Sequence, residues 1–180
     1  MDNEKRPRRR SVRLAEYDYT QIGVYFITVC VHGHKCLRGD VIVDRVELNP
    51  LGAVVEACWR SIPDHFQHVE LDEFGVIPNH VPGIVAIVSE SPGTSCRPPA
   101  EGHGTPIAGS LPTVVRSFKS ASTKRVNEHR GTPGACFWQR SFYEHVIHND
   151  DDLANIREYI DTNPARWEMD QLHLGKPSKW

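Results

Sequence analysis

The chain has 180 residues, of which 39% are hydrophobic and 24% are charged, and its formal net charge is −2. This length fits one compact domain with a core of its own, and the balance of apolar and charged residues excludes a disordered chain. The longest apolar run, at residues 24–31, is far shorter than the roughly 18 residues that cross a bilayer. The N-terminus is charged rather than signal-like, so we expect a cytoplasmic protein with no membrane partner.

The five cysteines form no CxxC pair, which argues against a disulfide framework and against a cysteine zinc site. We expect reduced thiols.

Two segments of this nearly neutral chain are strongly basic. Residues 1–14 are predicted to be a flexible arm, and residues 111–130 carry most of the other clustered cations. Separated basic segments suggest a polyanion partner, with nucleic acid as the first candidate, although a solvated helix face plus a tail explains the charge equally well. The candidate DNA-binding residues are Arg8, Arg9, Arg10, Arg116, Lys119, Lys124 and Arg125.

Strand-like and helix-like segments alternate along the rest of the chain. The predicted elements are strands at 24–31 and 41–46, a helix at 50–62, strands at 69–77 and 80–88, a surface loop at 89–110, a helix at 111–129, a strand at 137–147 and a helix at 150–163. This order is typical of an α+β, ferredoxin-like split βαβ sandwich with helices on an antiparallel sheet. We expect residues 15–180 to form a single domain.

The last predicted helix carries a polar stripe beside its apolar one. Asn155, Tyr159 and Asn163 recur at intervals of one helical turn and therefore share a face. A phenol at the edge of the core can point at an active surface, although a helical tyrosine taken alone is more often a half-buried packing residue.

A second candidate lies at the start of the strand predicted at 80–88. Alternate residues of a strand share a face, so the side chains of His80 and Pro82 would project together. His80 can bind a metal or orient a phosphate from this rigid position, and the alternative is a hydrogen-bonded structural histidine.

Seven runs in order resemble the single-tyrosine HUH transposases, in particular the REP-associated tyrosine transposase branch. The resemblance covers residues 8–168. The runs are RSVRL at 10–14, YDYTQ at 17–21, YFITVC at 25–30, IPNHV at 77–81, RSFKS at 116–120, WQRSFY at 138–143 and YIDTNP at 159–164.

The resemblance implies a specific chemistry. Enzymes of this family cut single-stranded DNA beside a hairpin, with a helix-borne tyrosine as nucleophile, and form a 5′-phosphotyrosine that a free 3′-hydroxyl reverses. Tyr159 matches the nucleophile, His80 the first histidine of the HUH pair, and Asn163 the polar ligand from the same helix. The implied cofactor is Mg²⁺ or Mn²⁺, the implied partner is single-stranded or hairpin DNA, and a homodimer is left open beside a monomer.

The sequence departs from the family pattern PNHxHG at its second histidine, which is Pro82 here. Proline cannot bind a metal, so we expect a weakened metal site. Possible replacements for the missing ligand are His145, His148 and Glu158. The HxH at His32 and His34 is interpreted as a turn away from the site.

The aromatic residues of the strand predicted at 137–147 have two interpretations. Trp138, Gln139, Phe142 and Tyr143 could form a base-stacking surface, although aromatic side chains at strand spacing more often belong to the core.

Three functions remain open at this stage. The first is a DNA transposase that cleaves and rejoins hairpin-flanked single strands through Tyr159. The second is a hairpin-binding protein of the same ancestry that has lost cleavage. The third, from a different class, is a ferredoxin-like metal-dependent hydrolase or small-molecule binder without a nucleic-acid role.

Overall fold

The computed structural model describes residues 17–37, 39–42, 45–90, 107–170 and 172. The predicted arm with Arg8, Arg9 and Arg10 lies outside these residues, as do residues 91–106 of the predicted loop. Within the described ranges, no helix has the length and apolar character needed to cross a membrane.

The described residues form six strands and four α-helices. They are β1 (Gly23–Cys30), β2 (Gly39–Ile42), β3 (Arg45–Leu48), α1 (Pro50–Arg60), α2 (Ile62–His65), β4 (Val69–Phe74), β5 (His80–Ile87), α3 (Leu111–Arg130), β6 (Tyr143–Ile147) and α4 (Asp150–Thr162).

The central sheet has four strands in the order β4-β5-β1-β6, and every neighbouring pair is antiparallel. Helices pack on both of its faces, because each strand alternates between two apolar surfaces. This arrangement confirms the predicted α+β sandwich.

The two faces of the sheet differ in the size of their cores. On one face, Tyr25, Ile27 and Val29 of β1 join the large core that includes α1 and α3. On the other face, Phe26 meets a small cluster centred on Ile160 of α4. The small cluster is the one that positions the candidate site, since α4 carries Tyr159.

Capping residues set the ends of the helices. The Asn49 side chain accepts hydrogen bonds from the first backbone N–H groups of α1, and Pro50 occupies the first turn, where no N–H is needed. Asn149 caps α4 in the same way. Gly131 ends α3 with a left-handed φ of 62°.

Three predicted strands have different bounds in the structure. The single strand predicted at 41–46 is wrong, because Val41 pairs with Val46 across the hairpin of β2 and β3. The strand predicted at 69–77 ends at Phe74, after a register shift against β5.

The last predicted strand is shorter than expected, since only Tyr143–Ile147 forms β6. Residues 137–139 instead run beside the end of β1, where Val31 bridges Trp138. Trp138 is 7% exposed and packs against Phe118 and Phe137, which favours the core interpretation of this aromatic segment.

Candidate active site

His80 and Pro82 of β5 lie on the same face of the sheet, as their spacing predicts. Their partners across the sheet are Cys30 and Thr28 of β1. This is the face that carries α4, because Pro82 and Ile160 both border the space beside Gly75.

The His80 ring is completely buried and its orientation is set by the preceding residue. His80 Nδ1 lies 2.8 Å from Asn79 Oδ1. The Asn79 amide donates to the Leu172 carbonyl at 2.6 Å, which fixes that amide with its oxygen towards the histidine. His80 Nδ1 therefore donates, and Nε2 is the nitrogen with the lone pair, which is the tautomer arrangement common at metal-binding histidines.

Pro82 occupies an interior strand without breaking the pairing to β1. Its carbonyl accepts from the Gly75 N–H at 3.0 Å, and the amide and carbonyl of one strand residue point to the same side. The N–H that proline lacks would therefore point towards β4, where the register is already irregular.

Tyr159 is in the C-terminal half of α4 and lies over β1. Its ring meets Phe26 edge to face, with centroids 5.9 Å apart, and 39% of the side chain is exposed. The next residue, Ile160, is buried. Arg157 forms a two-pronged ion pair with Asp72 and so ties this part of α4 to β4.

The Tyr159 hydroxyl is the packed end of the side chain. Burial raises its pKa well above the ordinary value, and the nearby Asp170 carboxylate and Cys30 side chain raise the pKa further, while hydrogen bonding from Asn163 lowers it. The phenol is therefore neutral at physiological pH.

Asn163 follows α4 by one residue and is 2% exposed. Its Nδ2 donates to Asp170 Oδ2 at 2.8 Å. Its Oδ1 is buried and has no hydrogen-bond partner within the described part of the chain. An unpaired buried carbonyl is costly, so this oxygen is suited to a ligand such as a cation.

The structure thus gathers the three predicted site residues at one end of the sheet. Cys30 connects them, since it lies directly opposite His80 and is close enough to influence the Tyr159 hydroxyl. Asn163 contacts the same hydroxyl. The roles assigned to Tyr159, His80 and Asn163 remain predictions.

The residues suggested as replacements for the missing metal ligand make other contacts or are exposed. His145 pairs with Asp152 at 2.9 Å near the start of α4, and its ring contacts that of His148. Glu158 is exposed. His34 contacts Gln139 at 2.8 Å and lies in a single 3-10 turn, His32–His34, that follows β1.

Two protein ligands are therefore available for a cation, His80 Nε2 and Asn163 Oδ1. Among the described residues, no group of three or more His, Cys, Asp and Glu side chains is arranged to hold a metal. The donors present fit Mg²⁺ or Mn²⁺ in type, as imidazole and amide oxygen, but their number predicts weak binding.

Sequence reasoning missed two residues that cover this site. Asp170 contacts both Asn163 and Tyr159, and the Trp167 ring lies 6.0 Å from that of His80. Both follow Pro164, where the helical periodicity has ended. The sequence signal that could have found Asp170 is only that it is an acidic residue shortly after the tyrosine helix.

The candidate DNA-binding residues of α3 divide into two sets. Arg116, Lys119 and Lys124 line a groove between α3 and residues 131–140. Arg125 turns the other way, with its guanidinium 3.6 Å from Cys58 Sγ on α1. Its assignment to the same DNA-binding face is therefore not supported by the geometry.

Comparisons with known proteins agree with this fold. No protein-family model matches the chain. A curated protein of Haemophilus influenzae named "Uncharacterized protein" is 37% identical over 92% of this chain and 93% of its own length. A second protein of that organism, named "Putative REP-associated tyrosine transposase", is 25% identical over 83% of this chain and 74% of its own length.

A solved structure shares the fold. It is the REP-associated tyrosine transposase bound to a REP hairpin, with a TM-score of 0.55 and 18% identity over 88% of this chain and 77% of the other. The chain therefore has the fold of this hairpin-bound transposase, and its sequence is similar to that of the protein named "Putative REP-associated tyrosine transposase".

Proposed function

We propose that this protein binds hairpin DNA and cleaves and rejoins the adjoining single strand through a 5′-phosphotyrosine intermediate. One observation carries the proposal: the Tyr159 hydroxyl and the His80 ring lie at the same end and on the same face of the sheet, both next to Cys30. A nucleophile close to a group that can help to neutralise charge suits the cleavage of a phosphodiester.

In the proposed reaction, the Tyr159 oxygen attacks the phosphorus and displaces the 3′ oxygen of the preceding nucleotide. Asp170, whose carboxylate is close to the hydroxyl, accepts the phenolic proton, and the leaving oxygen takes a proton from solvent to become a 3′-hydroxyl. A free 3′-hydroxyl reverses the step. Because the covalent link keeps the energy of the phosphodiester bond, rejoining needs no ATP.

A divalent cation is part of the proposal. When bound, Mg²⁺ or Mn²⁺ would neutralise charge on the non-bridging oxygens of the phosphate. His80 Nε2 and Asn163 Oδ1 are the donors that this chain offers. The hydrogen bond between His80 Nδ1 and Asn79 orients the imidazole for that role. Pro82 removes a third ligand, so the activity is expected to be weak.

The decisive experiment incubates the protein with a labelled hairpin oligonucleotide and Mn²⁺, then separates the products under denaturing conditions. We expect a covalent protein–DNA adduct from the wild type and none from Tyr159→Phe. The matched control is Tyr143→Phe, which removes a phenol from β6 on the same face of the sheet. Equal adduct from Tyr159→Phe and the wild type would overturn the proposed nucleophile.

A second candidate is a hairpin-binding protein that has lost cleavage. The observation in its favour is Pro82, together with the raised pKa of Tyr159. It predicts hairpin binding that is unchanged by a chelator and no adduct from the wild type. Appearance of the adduct in Pro82→His alone would identify this lapsed state, whereas a wild-type adduct would exclude it.

A further inference from the structure

A groove between α3 and residues 131–140 is a feature that the proposed reaction does not use. Its volume is about 880 Å³, near the upper end of the roughly 300–1,000 Å³ of pockets that hold small molecules. The surface inside it is mostly apolar and includes Pro133, Ala135, Cys136 and Phe137.

The groove is a built feature rather than a gap between loose segments. Trp138 Nε1 donates to Ser122 Oγ at 2.9 Å, and Asn127 Nδ2 donates to the Ala135 carbonyl at 2.8 Å. The Lys119 ammonium donates to the backbone carbonyls of residues 139–141. Side chains of α3 therefore hold the opposite wall at three separate points.

Cations line this apolar surface. Arg116, Lys119, Lys124 and Arg140 lie along the groove, with Glu128 as the one carboxylate among the lining residues. Arg116, Lys124 and Arg140 are exposed, and none of the three forms a salt bridge with another described residue. An apolar floor with cationic walls matches an unpaired nucleotide, whose base is flat and apolar and whose phosphate is anionic.

The groove also adjoins the candidate active site. Gln139, which lines it, donates its backbone N–H to the Cys30 carbonyl at 2.8 Å. Cys30 is the residue opposite His80 and beside the Tyr159 hydroxyl. A strand whose phosphate lies at Tyr159 therefore reaches the groove by crossing the end of β1.

We infer that this groove binds unpaired nucleotides of the DNA strand that continues from the hairpin past the cleaved phosphate. The inference rests on the proposed function, since it assigns the part of that substrate that lies next to the tyrosine. Lys119 holds the wall of the groove in place, while Arg116, Lys124 and Arg140 contact phosphates.

Cys136 provides a direct test, because this exposed thiol lies in the groove while the exposed thiol of Cys36 does not line it. The protein is treated with N-ethylmaleimide in the presence of a blunt hairpin or of the same hairpin with a short unpaired extension. Mass spectrometry then compares the two cysteines. We expect only the extension to slow alkylation of Cys136, with Cys36 unchanged.

Affinity gives an independent measure. We expect the extension to tighten binding about tenfold, and Lys124→Ala combined with Arg140→Ala to remove most of that gain while leaving affinity for the blunt hairpin nearly unchanged. The matched control is Arg45→Ala, an exposed cation of β3 that does not line the groove.

The outcomes separate this inference from the proposed function. If the blunt hairpin binds while the extension neither protects Cys136 nor tightens binding, the groove assignment is wrong and hairpin binding stands. If neither oligonucleotide binds, hairpin binding fails and the groove assignment fails with it.

Discussion

A single residue, Pro82, is expected to limit how strongly the proposed site holds a cation. It takes the position where the family pattern has a second histidine, and its side chain lies on the same face as His80. The N–H that proline lacks would point towards β4 and not towards β1, so β5 keeps its pairing with Thr28 and Cys30 of β1. The backbone therefore already directs the side chain at position 82 to the face of the sheet where a metal ligand would have to lie.

The replacement Pro82→His should restore metal binding. A third ligand on the face of His80 and Asn163 is expected to raise Mn²⁺ affinity by about tenfold or more, measured by isothermal titration calorimetry without DNA. Pro82→Leu is the matched control, because it restores the N–H without a ligand. Equal affinity of the two variants would show that this position does not face the cation.

Asp170 is the residue with the clearest effect on the nucleophile. Its charge is the largest contribution after burial to the raised pKa of Tyr159. Asp170→Asn should therefore lower the pKa of Tyr159, observed by NMR titration of the ring carbon that bears the hydroxyl. Asp152→Asn, near the other end of α4, is the control and should leave that titration unchanged.

The pH dependence of the reaction follows from the same shift. A raised pKa keeps the phenol protonated at neutral pH, so the reactive phenolate becomes more populated as the pH rises. We expect adduct yield to increase from pH 7 through pH 9 without a plateau. A plateau below pH 9 would mean that the Tyr159 proton does not limit the reaction.

At the scale of elements, close contact between β5 and α1 is fixed by a glycine. A Cβ on Gly83 would clash with the ring of Trp59, whereas a Cβ on Gly75 would meet its neighbours at ordinary distances of 3.5 Å or more. Trp59 is completely buried and stacks on Phe74. The ring therefore has no room to move away from β5.

These two glycines make a matched pair for a stability experiment. Gly83→Ala should lower the free energy of unfolding by about 1–3 kcal/mol, because it overpacks the core, while Gly75→Ala should change it by less than about 0.5 kcal/mol. Urea denaturation measures both. Equal effects would contradict the close packing of Trp59 on β5.

The side chain of Lys119 connects α3 to residues 139–141, which are distant in sequence. A lysine on a basic helix predicts a solvated phosphate contact, yet its ammonium is surrounded by the carbonyls of residues 139–141. Backbone carbonyls are present at every residue, so no pattern of side chains in the sequence shows which of them accept a hydrogen bond from a lysine. For this reason the sequence predicts the charge of the helix correctly and cannot predict which cations are committed to the fold.

Across the whole molecule, much of the fold and part of the site could be predicted from sequence. Strand alternation and helical spacing locate the sheet and α4, and these carry His80 and Tyr159 to the same end. The residues that cover the site could not be predicted, because Asp170 and Trp167 lie beyond Pro164, in a segment without periodicity. The position of Arg125 could not be predicted either, because helical spacing does not show that its guanidinium lies beside Cys58 of α1.

Cations of α3 that line the groove and Arg125, which lies beside α1, should differ in their effect on the salt dependence of DNA binding. Removing one cation that binds a phosphate should reduce the slope of log Kd against log salt concentration by about 1. Arg116→Ala combined with Lys124→Ala should therefore reduce the slope by about 2, and Arg125→Ala should have little effect. Fluorescence anisotropy at several salt concentrations, with the hairpin that carries the unpaired extension, measures the slope, and equal reductions from Arg116→Ala and Arg125→Ala would contradict this difference.

The position of the N–H that Pro82 lacks also bears on which substitutions this strand can accept. Proline and histidine codons can differ at a single base, and here neither amino acid disturbs the backbone pairing with the adjacent central strand. A histidine at position 82 is therefore within reach of one point mutation, and the pairing between β5 and β1 would accept it.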